Sequence, residues 1–211
     1  MKPTKEEMSR IGKSNVRRSK THERKVAHLL QNFTGVEFRR RRVEGRDTTV
    51  VERESTADVI PVKGNILFSI EAKCGEPTSW DGLLSNPHNN QFTKWWHQTT
   101  FDARILTEVL KREIYPLLFF KPHPNFDWIA IDQKVFKDGL LRDKDNKSYL
   151  APWFTHLTFD SYENLGFIRH DVSHSKKNKV MVELELPNLY FIRWKDFESN
   201  VLPSSIFVNG E

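Results

Sequence analysis

The 211-residue sequence predicts an α/β fold: a mixed central β-sheet flanked by helices and extended by a C-terminal β-hairpin. Three observations predict it. Apolar residues recur at helical spacing from Thr21 to Phe33 and again from Asn89 to Leu110. Apolar runs of strand length occur around Val59, Ile70, Leu118 and Ile129, and a Lys63-Gly64-Asn65 turn signal separates the first two. Helix, two hairpin strands, helix, strand, strand is the element order of a layered α/β core.

Each element has a local reason. The first residues, 1–18, hold Gly, Ser and Lys and are expected to form a basic arm, disordered until a polyanion is present. Residues 19–140 are expected to form the core and 141–211 a C-terminal elaboration packed on it. Val26, Leu29, Leu30 and Phe33 give the first helix its apolar stripe, and Ser19 or Thr21 can cap it. Val36–Val43 and Thr48–Glu52 read as strands around a turn at Glu44–Asp47. Ala103, Leu106, Val109 and Leu110 continue the second helix, and Tyr115–Lys121 and Asp127–Asp132 are strands. Lys179–Leu186 alternates with period two, Pro187-Asn188 is a turn, and Leu189–Trp194 is apolar, so these last two runs are expected to pair.

The chemistry concentrates on the predicted hairpin. Asp58 lies in Ala57-Asp-Val-Ile-Pro-Val62, and Glu71 and Lys73 end the run that follows the turn. Strand side chains alternate faces, so Glu71 and Lys73 point one way while Ala72 packs inward, and the return of the hairpin brings Asp58 to them. Two carboxylates beside an ammonium can hold Mg²⁺, with Mn²⁺ as a substitute, next to a water. The chain carries its own control, because Asp132, Asp145 and Lys147 repeat the same separations. That second copy lies in a polar loop, whereas an ionised carboxylate in apolar sequence is costly unless paired or metal-bound. The competing reading makes Glu71 and Lys73 the wet end of an edge strand. Glu23 leans toward the buried edge of the first helix, although first-turn glutamates also serve the helix dipole. Gln91 and Lys94, in the first turns of the second helix, can reach a scissile phosphate.

Charge points to a polyanionic partner. Residues 1–46 hold 14 basic and 5 acidic residues, +9, while the other 165 hold 19 and 23, −4. Arg17, Arg18 and Lys20 on the arm and the run Arg39, Arg40, Arg41, Arg42 are the candidate DNA-binding residues. A solubilising tail or a localisation patch is the alternative. Trp95, Trp96, Trp153 and Phe154 can stack on unpaired bases, although aromatics at helical spacing are more often core. One cysteine excludes an internal disulfide framework, and no apolar run is long enough to span a bilayer. A soluble cytoplasmic protein with no membrane partner is expected.

These residues resemble the PD-(D/E)xK nuclease superfamily: Glu23 on a first helix, Asp58, Glu71-x-Lys73 and a following Gln91. Within it the pattern is most similar to Holliday-junction resolvases of the RecU and archaeal or phage types. Ser55-Thr56-Ala57-Asp58 resembles their Ser-Thr-x-Asp, Glu71-Ala72-Lys73 their Glu-Ala-Lys, and Asn86-Pro-His-Asn-Asn-Gln91 their Asn-x-His-x-x-Gln. The likeness covers about residues 17–132 and is specific through the order of its motifs. The RecU group inserts a stalk before Ser-Thr-x-Asp; the short interval here suits a compact hairpin, nearer the archaeal and phage enzymes. The resemblance implies a restriction-endonuclease-like core and a catalytic set of Glu23, Asp58, Glu71, Lys73 and Gln91. It also implies Mg²⁺ held by Asp58, Glu71 and the Ala72 carbonyl, a homodimer on branched DNA or a four-way junction, and 5′-phosphate products. A restriction- or repair-type nuclease on linear duplex DNA, and a non-catalytic DNA-binding protein, stay open as alternatives.

Overall fold

A computed structural model describes residues 4–41, 57–74, 91–123, 126–147, 155–157, 165–170, 179–184 and 189–208. Helix α1 spans Lys5–Thr34 and is followed by β1 (Phe38–Arg40), β2 (Val59–Pro61) and β3 (Phe68–Ala72). Helix α2 (Gln91–Leu110) leads to β4 (Tyr115–His123), β5 (Phe126–Asp132) and the short α3 (Gln133–Lys137). Then come β6 (Thr155–Leu157), β7 (Leu165–His170), β8 (Lys179–Leu184), β9 (Leu189–Arg193), α4 (Trp194–Asn200) and a 3₁₀ turn at Pro203–Ile206. Seven strands form one sheet in the order β1-β2-β3-β4-β5-β9-β6, and β7 and β8 pair separately.

The sheet is mixed because β3 and β4 run parallel while their neighbours run antiparallel. A parallel pair cannot be joined by a tight turn, and α2 makes the crossover. Both sheet faces are covered, which is why Leu117-Leu118-Phe119-Phe120 shows no polar alternation. Period two still sorts the side chains. Leu117 and Phe119 pack with Val26, Leu30 and Phe33 of α1, whereas Leu118 and Phe120 pack with Phe92 and Trp96 of α2. The β2–β3 turn takes Gly64 at φ +84°, a conformation glycine adopts without strain.

The predicted hairpin forms, with Val59 opposite Ile70. Two expectations are corrected. Residues 5–18, expected to be disordered, continue α1. Their Lys, Glu, Arg and Met are good helix formers, and a helix already nucleated by a packed C-terminal half extends at little cost. Burial begins at His22 and Glu23, and residues 9–21 before them, roughly 20 Å of helix at 1.5 Å per residue, are exposed or at most half-buried. The pairing of 179–186 with 189–194 does not form: β8 pairs with β7, and β9 enters the central sheet between β5 and β6. The C-terminal segment is therefore part of the core sheet and not only an elaboration upon it. Phe191 and Ile192, both fully buried, find partners on opposite faces there, which a two-stranded hairpin could not supply.

Candidate active site

The carboxyl end of β3 gathers three of the predicted residues. Asp58 sits just before β2, its N–H donating to the Ile70 carbonyl at 3.0 Å and its carbonyl accepting from Arg41 N–H at 2.9 Å. Those bonds fix its side chain over β3, where Oδ2 accepts from the Ala72 N–H at 3.1 Å and from Lys73 Nζ at 3.3 Å. Lys73 N–H donates to the Phe119 carbonyl at 2.9 Å, anchoring the lysine to β4. Its Nζ lies 2.5 Å from Glu71 Oε2. The ammonium thus bridges two carboxylates.

Exposure grades the three groups. The Glu71 side chain is 0 % exposed, Lys73 17 % and Asp58 25 %, so the glutamate forms the floor and the other two the rim. The Lys73 contact is a close ion pair, and among the described residues neither Glu71 oxygen accepts a well-formed hydrogen bond. Burial pushes the Glu71 carboxyl up to about 9, repulsion from Asp58 adds to this, and Lys73 only partly opposes it. Burial disfavours the Lys73 ammonium, but Glu71 and Asp58 outweigh it and hold that group above its usual range.

A hard divalent cation fits this donor set. With Glu71 ionised, as an arriving cation would make it, two buried or half-buried carboxylates exceed the single ammonium by one negative charge, and among the described residues the Glu71 oxygens accept no well-formed hydrogen bond. Mg²⁺ is commonly held by one or two carboxylates with water and substrate completing its shell. Among the described residues no three His, Cys, Asp or Glu side chains form a ready-made cage.

The other predicted residues lie around this centre without joining it. Glu23 Oε1 accepts from Ser19 Oγ at 2.9 Å, and Oε2 accepts from Arg40 Nη1 at 3.4 Å. Arg40 is thereby committed to Glu23 and not only to solvent. Burial raises the Cys74 thiol, with Glu23 and Asp58 adding to the effect, which sets both acids near the residue after Lys73. Gln91 opens α2 and lines a cleft together with Arg17 and Arg18, whereas Lys94 is exposed and does not line it. Lys20 and Arg39 are exposed, Arg41 is half-buried, and Arg42 lies outside the described residues. The repeated acid-x-Lys spacing builds no site: Asp132 caps α3 by accepting from Lys134 N–H, and Asp145 and Lys147 are exposed.

One cluster escaped the sequence reading. Asp127 on β5 lies 2.5 Å from Lys25 and 3.5 Å from Lys121, beside buried His22. Lys25 and Asp127 are 102 positions apart, too far for any spacing rule. Burial drops the imidazoles of His22 and His97 to about 4, with Lys121 and Lys25 assisting at His22 against Asp127 and Asp58. Both rings are neutral in the fold and titrate at their ordinary 6.5 when unfolded. Stability is therefore fully present above about pH 6.5 and falls as pH drops toward 4, by at most about 3 kcal/mol per histidine. Buried Glu71 contributes an opposite slope of one proton above its ordinary carboxylate value, so denaturant titrations between pH 7 and 4 should show a net slope of about one proton, and His97→Gln should remove most of it. An unchanged slope in that variant would place the cause elsewhere.

Comparison with known proteins agrees with the geometry. Residues 14–167 match the family model described as "Phage putative PDDEXK endonuclease". Neither a curated protein nor a solved structure gave a match. The family match spans Glu23, Asp58, Glu71, Lys73 and Gln91, and in the fold Asp58, Glu71 and Lys73 meet at one sheet end. The chain belongs to this PDDEXK endonuclease family and is a nuclease of that kind.

Proposed function

We propose that this nuclease is a Mg²⁺-dependent, structure-selective DNA endonuclease that cuts branched DNA such as a four-way junction. The observation that carries the catalytic reading is the Asp58–Lys73–Glu71 bridge over a buried glutamate that accepts no well-formed hydrogen bond among the described residues. Asp58, Glu71 and the Ala72 carbonyl are the groups that would hold the ion, and Mn²⁺ would substitute. When bound, the ion supplies Lewis acidity that polarises the phosphate and makes water a better nucleophile. Lys73, positioned by its backbone bond to Phe119, orients the attacking water and offsets charge that builds on the phosphate oxygens. Glu23 adds an acid reaching the centre through water, and Gln91 positions the substrate strand. Water attacks phosphorus, the 3′-oxygen leaves and is protonated, and a 5′-phosphate remains.

The branched substrate rests on the likeness of residues 55–58, 71–73 and 86–91 to junction resolvases, together with the exposed basic half of α1. Symmetric cutting of a junction requires two centres related by a two-fold axis, so the reading includes a homodimer. A labelled four-way junction and a matched linear duplex, each with Mg²⁺ or EDTA, test it. Paired nicks on the junction should appear with Mg²⁺ and vanish in Asp58→Asn, by at least about 10³-fold. Equal cutting of both substrates would keep the centre and discard the junction. Metal-independent activity, or full activity in Asp58→Asn, would remove the catalytic reading.

A further inference from the structure

Beside the catalytic centre runs a cleft of about 1120 Å³ between the exposed half of α1 and the start of α2. It approaches the centre at Cys74, which follows Lys73 in the chain, and Gln91 also lines it. Among the described residues four cations line it, Arg17, Arg18, Lys25 and Lys121, and no carboxylate does. Asp127, behind the wall, contacts Lys25 and Lys121, which fixes the two ammonium groups in place and leaves an excess of positive charge. The wall is not uniformly polar, because Trp95 of α2 faces it. Trp95 is only half-buried, whereas its neighbour Trp96 lies in the core. The volume slightly exceeds the roughly 300–1,000 Å³ of pockets that enclose one small ligand. Such a space suits a few nucleotides of single strand. Fixed cations along a groove with an aromatic face in its wall are the chemistry that holds unpaired nucleic acid: phosphates on the cations, a base on the ring.

We infer that this cleft binds a short unpaired stretch of the substrate strand next to the scissile phosphate, with a base stacked on Trp95 and phosphates on Arg17, Arg18, Lys25 and Lys121. The inference rests on the active-centre reading for where the cut falls and narrows the substrate to branched DNA with single-stranded nucleotides at the branch, such as a flap or splayed arm. A paired junction would have to open at its crossing point to fill the cleft.

The test is a binding titration of the full chain in EDTA, using fluorescein-labelled DNA. One probe carries a ten-nucleotide single-stranded flap and the other is the fully paired duplex of equal length. The flap should bind at least about tenfold more tightly. Trp95→Leu, which keeps apolar volume but removes the ring face, should abolish most of that preference and leave duplex binding within about twofold. Lys121→Gln should weaken flap binding several-fold and decides the matter if Trp95→Leu melts early. Equal affinity for both probes, or a flap preference unchanged in Lys121→Gln and in a folded Trp95→Leu, would overturn the inference. Cleavage is scored separately with Mg²⁺. Asp58-dependent cutting without a flap preference would retain the active centre and discard the cleft, and a Trp95-dependent preference without cutting would do the reverse.

Discussion

Glu71→Gln should abolish cleavage, by at least about 10³-fold, and yet raise the melting temperature of the metal-free protein. The wild-type carboxylate is fully buried, faces Asp58 across Lys73 and accepts no well-formed hydrogen bond among the described residues, so the fold bears its desolvation. Glutamine keeps the shape and removes the charge. A gain of about 1–3 kcal/mol, or several degrees in a chain of this size, is expected in EDTA. The pH dependence carries the same sign. A carboxyl held up at about 9 binds its proton more tightly in the fold than in the unfolded chain. Wild-type stability should therefore decline as pH rises above the ordinary carboxylate value toward 9, and the variant should lack that decline. Between about pH 7.5 and 8.5 the two buried histidines contribute almost no slope and the raised Cys74 thiol little, so that window reports mainly Glu71. Added Mg²⁺ should stabilise the wild type, as any ligand selective for the native state does, and leave the variant nearly unmoved. A variant less stable than wild type in EDTA, or equally responsive to Mg²⁺, would refute this account of the glutamate.

Lys73→Met should also lose at least about 10³-fold in cleavage, but with the opposite effect on stability. Removing the ammonium leaves Asp58 and Glu71 facing each other at the end of β3, and breaking a largely buried ion pair from one side costs about 3 kcal/mol. Methionine preserves most of the stem packing, so the loss reports charge. Lys73→Arg should not restore activity, since a planar guanidinium does not fit a site built around one compact Nζ. Calorimetry of the two variants in EDTA should thus place them on either side of wild type. If both shift the melting temperature the same way, packing at the end of β3 matters more than the balance of charge.

The candidate-site hairpin was legible because every signal it needs is local. A glycine turn lies between apolar runs, alternation aligns Glu71 with Lys73, and Asp58 returns across a short loop. Burial context also separated it from the repeat at Asp132, Asp145 and Lys147, which the structure leaves as a helix cap and an exposed pair. What stayed hidden depends on distance or on solvent. Exposed helical residues such as Arg10 and Lys13 need no apolar period, so the outer half of α1 looked like a tail. The partner of Leu189–Arg193 was misread because Pro187-Asn188 suggests a tight return. Pairing with β5 is decided by the aromatic cores on both faces of the sheet. The Lys25–Asp127–Lys121 group depends on two sheet neighbours and a helix meeting, and no segment of the sequence announces it.

The placement of β9 has a consequence for how the chain is made. Phe33 near the start of the fold packs against Trp194 and Phe197, and β5 gains its second neighbour only when residues 189–193 arrive. On the ribosome, where the N-terminal part emerges first, the layer beneath Phe119 and Ile129 stays open until residues 189–197 are out. The strand that bears Glu71 and Lys73 is anchored to that layer through β4. A nascent chain that has not yet delivered residues 189–197 thus lacks the layer on which the Glu71 strand rests, and the candidate centre has no firm floor until that segment docks.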